Sequence, residues 1–153
     1  MTALPLLTSQ TQSLYEADYV AWVETMLQRL KQKDYSRVDW ENLLEEIEDM
    51  SRRERKALKS NLTILLMHLL KWQYQPENRS GSWSGSIIEH RQRVNEALDD
   101  SPSLKPYLEE IMELAYENAL ERVAGETMLP ESKFPSQCPY KISDFLKRGF
   151  LSE

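Results

Sequence analysis

The sequence predicts an all-α fold, a single-domain bundle of about five helices with an irregular, proline-containing C-terminal arm. Apolar residues recur every three or four positions along almost the whole chain, which is the spacing of one face of an α-helix. Only four of the 153 residues are glycine, and the β-branched alternation that is typical of strands is absent. We expect a disordered or extended N-terminus over residues 1–12, the helical bundle over 13–125, and an arm over 126–153 packed on the bundle.

The first two helices are predicted from capping residues and apolar stripes. Ser13 and Glu16 form a capping box that begins the first helix. Its apolar face consists of Tyr15, Tyr19, Trp22, Val23, Met26, Leu27 and Leu30, and fades at Lys31 to Lys33. Asp39 is suited to cap the second helix. The stripe of the second helix consists of Trp40, Leu43, Leu44, Ile47 and Met50.

A break or bend is predicted near Ser51. Ser51 and Glu54 repeat the capping-box pattern, and residues 51–56 contain no apolar side chain. Acid-before-base pairs four residues apart, Glu48 with Arg52 and Asp49 with Arg53, favour a continuous helix instead. We prefer a break or bend, because either lets the two apolar stripes fold back on one another.

Three further helices and the arm complete the predicted bundle. A third helix over about residues 52–73 is apolar on nearly every side between Leu62 and Trp72, which is typical of a helix buried in the middle of its domain. A loop of proline, serine and glycine precedes a fourth helix over about 84–99. The fifth begins at Ser101 and Pro102 and ends at Gly125, which suits a helix C-terminus. The arm is expected to form one helical turn over residues 143–147.

The composition bounds the classes of function. The formal net charge of −6 disfavours a general role on nucleic acid or on an anionic membrane. Cys138 is the only cysteine, and the longest apolar stretch is too short to span a bilayer, so we expect a cytoplasmic protein with no membrane partner. No cofactor is implied. No metal is expected either, because His68 and His90 do not form a known ligand pattern, and Cys138 has no neighbouring histidine that would favour a thiol nucleophile.

A candidate polar centre lies on the third helix. Asn61, His68 and Lys71 form a thin polar stripe on a surface that is otherwise apolar. His68 is either a general base poised by burial or a core histidine whose hydrogen bonds are satisfied, and the second interpretation is favoured. Helical phasing predicts that His68 faces the interior whereas His90 faces water.

Three more residues belong to this candidate centre, and two acids are expected to face it. Arg91 lies inside the apolar stripe of the fourth helix and needs either a carboxylate or several carbonyls, and Glu46 and Glu48 are its expected partners. Arg79 and Trp83 lie in the polar loop before that helix, where serine and glycine could hold an anion, although an ordinary connection is favoured.

The order of several segments resembles a known family. EEIEDM, HLLKWQYQP, RSGSW, IIEHR, SPSL and FPSQCPY occur in the order found in the bacterial, mainly cyanobacterial, family named domain of unknown function 29. The resemblance extends from about Tyr15 to Tyr140 and implies a predominantly α-helical fold. Its pattern residues include Glu46, His68, Lys71, Trp72, Pro76, Trp83 and Arg91. It implies no established activity, cofactor or catalytic residue.

Three functions follow as hypotheses. The leading one is a non-enzymatic module that binds a protein partner or itself as a homo-oligomer, because no catalytic motif occurs. The second is a small enzyme or ligand-binding protein with a pocket around His68, Lys71, Arg79, Trp83 and Arg91. The third and weakest is nucleic-acid binding through the basic cluster from Arg52 to Lys59.

Overall fold

The computed structural model describes residues 14–151, and in this range it contains helices and loops but no strand. The all-α prediction is confirmed. The described helices are α1 (Tyr19–Lys31), α2 (Trp40–Tyr74), α3 (Gly81–Asp100), α4 (Leu104–Thr127) and α5 (Ile142–Phe145), with short 3-10 turns between them. Within this range no helix combines the length and apolar character that crossing a membrane requires. The chain divides into two compact units, one that ends at Arg52 and one that begins at Arg53.

The first unit, which we call the hairpin, pairs α1 with the first part of α2. Residues 14–17 are helical, and Asp18 interrupts the helix and caps α1 by accepting a hydrogen bond from the Ala21 backbone N–H at 3.0 Å. The expected capping box at Ser13 lies outside the described residues. Trp22, Met26 and Val38 form a small buried core.

The hairpin is antiparallel, and polar contacts align its two helices. The Trp22 indole N–H donates to the Asp39 carboxylate at 3.2 Å, whereas the Tyr19 hydroxyl, one turn earlier, donates to Glu46 at 2.7 Å. Asp39 also accepts from the Asn42 backbone N–H at 3.5 Å. The predicted capping role of Asp39 is therefore confirmed.

The predicted break at Ser51 is wrong, because α2 continues as one helix of 35 residues. Arg52 lies 3.2 Å from the Glu48 carboxylate and 2.9 Å from that of Asp49, so two ion pairs connect the turns on either side of Ser51. Such pairs stabilise a helix where the chain has no apolar contact to bury. The second and third predicted helices are thus a single element.

The second unit, which we call the bundle, has a continuous apolar core. The middle of α2 supplies its centre, where five leucines are completely buried, as expected from a segment that is apolar on nearly every side. Other elements pack around them through Ile87 and Val94 of α3 and Ala115, Ala119 and Val123 of α4. The five leucines are Leu62, Leu65, Leu66, Leu69 and Leu70.

Three predicted helix ends in the bundle are wrong by a few residues. The fifth predicted helix was expected to begin at Ser101 and Pro102, but α4 begins at Leu104. The fourth helix was expected from about residue 84, but α3 begins at Gly81, because the Ser80 hydroxyl accepts from the Trp83 backbone N–H at 3.2 Å. Gly125 does not end α4. The helix continues to Thr127, and Met128 adopts the left-handed conformation that ends it, with φ at 59°.

The arm after α4 joins the core through aromatic side chains. Phe134, Tyr140 and Phe145 are buried. The Tyr140 hydroxyl donates to the Gln73 side-chain oxygen of α2 at 2.8 Å, and the Tyr116 hydroxyl of α4 donates to the Pro135 carbonyl at 2.5 Å. The single turn of helix is present as α5, one or two residues earlier than expected.

Candidate functional site

The two histidines are neighbours in the bundle. His68 of α2 and His90 of α3 stack with their rings nearly parallel and their centroids 6.5 Å apart. The Ser86 hydroxyl lies between them, 3.4 Å from Nδ1 of His68 and 3.3 Å from Nδ1 of His90. The expectation that helical phase separates them is therefore wrong, since phase within one helix says nothing about which face the next helix presents.

The backbone fixes the tautomer of both rings. Nδ1 of His68 lies 2.9 Å from the Ile64 carbonyl, and Nδ1 of His90 lies 2.8 Å from the Ser86 carbonyl. A carbonyl only accepts, so each Nδ1 carries a proton, and in a neutral ring the lone pair then lies on Nε2. Burial lowers the pKa of His68, which keeps that ring neutral at physiological pH.

Lys71 lies one turn beyond His68 and is buried. Its ammonium group forms an ion pair with Glu126 of α4 and lies 5.3 Å from the centre of the Trp83 ring. Arg79 stacks over Trp72 at 4.9 Å and donates from Nε to the Trp72 carbonyl at 2.8 Å. Both cations therefore have structural partners.

Arg91 is buried and binds the arm. Its Nε donates to the Phe145 carbonyl at 2.9 Å, and its terminal nitrogen donates to the Phe150 carbonyl at 2.6 Å. Glu46 and Glu48 are wrong as the expected partners, because the other expected kind of acceptor, backbone carbonyls, satisfies the guanidinium. Nearby Asn95 donates to the Leu146 carbonyl at 3.0 Å, so one side of α3 holds the C-terminal part of the arm.

The remaining predicted residues lie apart from the histidines along the chain. Asn61 is half-buried, two turns before His68 on α2. In the hairpin, Glu46 is buried and accepts from the hydroxyls of Tyr15 at 2.5 Å and Tyr19 at 2.7 Å. This bond and the negative charge of Glu46 raise the pKa of Tyr15 to about 12. Glu48 forms the exposed ion pair with Arg52 described above.

The structure thus brings some residues of the predicted polar centre into contact and gives the others different partners. Lys71 and Trp83 are in contact, His68 and Lys71 occupy successive turns of α2, and Arg91 serves the arm. Sequence reasoning missed Ser86 and Glu126, which complete the histidine pair and the lysine pair. Neither had a local signal, because each becomes important only when α3 and α4 pack against α2.

A cavity lies between α4 and the arm, away from the histidines. Its volume is about 440 Å³, within the usual range of small-ligand pockets. Tyrosine, methionine and isoleucine side chains form its apolar walls, and Glu113 and Glu117, one turn apart on α4, add carboxylates. Burial raises the pKa of the Cys138 thiol in its wall, so the thiol is neutral. The lining consists of Met112, Glu113, Tyr116, Glu117, Ser136, Gln137, Cys138, Tyr140 and Ile142.

A second feature is the apolar surface of the hairpin. Six large apolar side chains, five of which the sequence assigns to apolar stripes, are exposed by 40% to 65%. We call this set the hairpin face. It consists of Val20, Val23 and Leu27 of α1 and Trp40, Leu44 and Ile47 of α2.

Two residues of the basic cluster from Arg52 to Lys59 have partners in the structure. Arg52 is paired with two acids, and the Arg55 guanidinium lies 5.6 Å from the centre of the Tyr107 ring. Nucleic-acid binding through Arg52 to Lys59 stays a prediction.

Comparison with known proteins supports a family and no specific activity. Neither a curated protein nor a solved structure matches this chain. One family model, described as Domain of unknown function DUF29, matches residues 14–151, which is nearly the whole chain. The resemblance noted in the sequence is therefore confirmed, and the chain belongs to the DUF29 family.

Proposed function

We propose that this protein is a protein-interaction module that docks through the hairpin face. The single observation that carries the proposal is the exposure of six large apolar side chains on one short pair of helices. Contiguous apolar surface of this kind is uncommon on monomeric proteins and marks interaction sites. Exposure of apolar surface to water is unfavourable. A partner that covers the hairpin face removes this surface from water, which stabilises the complex.

The polar centre supports a structural role rather than a catalytic one. Lys71 is paired with Glu126, Arg91 donates to two carbonyls, and each histidine donates to a backbone carbonyl. Groups satisfied in this way hold helices in register. These satisfied polar groups favour the interaction module over an enzyme built on His68 and Arg91.

The test compares substitutions of equal chemistry on two surfaces. Leu44→Glu places a carboxylate on the hairpin face, and Leu114→Glu places one on α4 of the bundle, where the leucine is similarly exposed. We expect light scattering and affinity capture from the source cell extract to show binding by the wild type and Leu114→Glu but not by Leu44→Glu. Equal binding by both variants, or no binding by the wild type, would contradict the proposal.

The cavity between α4 and the arm supports a second candidate, which is the binding of a small organic cation. Two carboxylates and tyrosine rings suit an ammonium group, and the apolar walls suit the hydrocarbon attached to it. Among residues 14–151, no lysine or arginine lines the cavity to oppose such a ligand.

Phenethylammonium and its neutral analogue 2-phenylethanol are suitable probes for calorimetric titration. We expect only the cation to bind. The single substitutions Glu113→Gln and Glu117→Gln should each weaken its binding at least tenfold. Glu121→Gln removes the same charge from the next turn of α4, outside the cavity lining, and is the matched control. Equal binding of both probes, or equal effects of all three substitutions, would exclude this candidate.

A further inference from the structure

We infer that the occupant of the hairpin face is a second copy of this chain, so that two hairpins close into a four-helix bundle. This inference rests on the proposed function and names the partner of the same surface. It follows from the positions of the exposed residues around the two helices, from the width of their apolar stripes, and from the area that they offer.

The exposed apolar residues of both helices lie on one side of the hairpin. On α1, Val20, Val23 and Leu27 lie about 100° further round the helix than the buried pair Trp22 and Met26. On α2, Trp40, Leu44 and Ile47 are displaced by a similar angle, in the same rotational sense, from Leu43 and Glu46. Because the helices are antiparallel, equal displacements in the same sense bring both sets to the same side.

The width of each apolar stripe fits a bundle of four helices. A helix in such a bundle contacts two neighbours and needs an apolar stripe more than about 100° wide. The stripe of α1 extends over roughly 160°, from Trp22 to Val20. Packing within the hairpin uses about half of it, leaving half of each stripe for another pair of helices. A second hairpin supplies two helices with the same unused half-stripes.

The area of the hairpin face also suits a dimer. A large side chain that is fully exposed offers about 150–250 Å². When this area is multiplied by the exposed fraction of each residue, the six residues of the face together offer roughly 600 Å² of apolar surface. A standard interface buries ~800 Å² on each partner, of which somewhat more than half is apolar. The face therefore supplies the apolar part of one side, and acids of α2 such as Glu41 and Glu48 are exposed and suited to a polar rim.

The experiment measures the mass of the full-length chain by light scattering over a range of concentrations. We expect twice the mass of one chain for the wild type and for Leu114→Glu. For Leu44→Glu and Ile47→Glu we expect the dissociation constant to rise at least 100-fold, because two-fold symmetry buries two carboxylates in apolar surroundings. Circular dichroism of each variant confirms that its helices are retained.

A cross-link identifies the surface independently. With Cys138 replaced by serine, Ile47→Cys is expected to form a disulfide-linked dimer under oxidation, whereas Ile88→Cys on α3 is not. A wild-type monomer that captures a different protein through the hairpin face would overturn the second copy and leave the proposed function intact. A dimer that neither glutamate variant weakens would overturn the inference, and a monomer that captures nothing would overturn both proposals.

Discussion

The hairpin and the bundle use their apolar residues in different ways. In the hairpin, which has 39 described residues, nine large apolar side chains are exposed; in the bundle, with 99 described residues, only four are. The buried apolar core shows the reverse, with three residues in the hairpin cluster and 21 in the bundle cluster. The bundle thus has an extensive core of its own, whereas the hairpin buries few of its large apolar side chains.

The largest expected effect comes from removing core side chains of the bundle. Leu66→Ala deletes a completely buried leucine and should lower the free energy of unfolding by about 2–5 kcal/mol. Leu44→Ala on the hairpin face should cost less than about 0.5 kcal/mol in dilute protein. Urea unfolding measures both. If the loss of unfolding free energy in Leu44→Ala grows with protein concentration, the lost packing lies between two copies of the chain. That result would sharpen the contrast between the hairpin and the bundle.

An intermediate effect is expected where α3 holds the arm. Arg91→Met leaves the carbonyls of Phe145 and Phe150 without their donor and should cost about 1–3 kcal/mol. Arg93→Met removes only an exposed ion pair with Glu89 and should cost about 0–1 kcal/mol. Hydrogen exchange over residues 142–150 and the labelling rate of Cys138 report release of the arm. Equal exchange in both variants would show that Arg91 does not hold it.

The smallest effect is expected in the hairpin at alkaline pH. The pKa of Tyr15 is raised from 10.0 to about 12, so its contribution to stability is complete below pH 10 and is lost as the pH rises towards 12. Ultraviolet absorbance of the phenolate follows this ionisation. Glu46→Gln should return the pKa of Tyr15 towards 10, and Tyr15→Phe should remove the component of the absorbance change that belongs to this residue. An unchanged titration in Glu46→Gln would show that Glu46 is not its cause.

Sequence periodicity predicted the helices well because a helix that buries one face repeats its apolar residues regardless of its partner. The same signal misplaced the boundary at Ser51, where ion pairs replaced apolar contacts in sustaining the helix. It also misjudged the hairpin, because a stripe shows which residues could be buried and not whether this chain buries them. Val23 and Leu44 belong to clear stripes and are nevertheless exposed.

The sequence pattern located several residues of the polar centre but did not identify their partners. His68, Lys71 and Arg91 stand out because polar groups on apolar helices need partners. Their partners could not be predicted, since Glu126 lies 55 residues from Lys71 and the acceptors of Arg91 are backbone carbonyls. A carbonyl is present at every residue, so no side-chain pattern identifies the one that is used.

The bonds from Arg91 to the arm have a consequence for the order of events during synthesis. The ribosome makes Arg91 more than fifty residues before either of its acceptors. Until Phe150 has emerged, the nascent bundle has a guanidinium on the side of α3 that the arm later covers, and water must solvate it. Completion of this part of the core therefore waits until Phe150 has been translated, and a chain halted shortly before Phe150 would expose a charge among apolar residues.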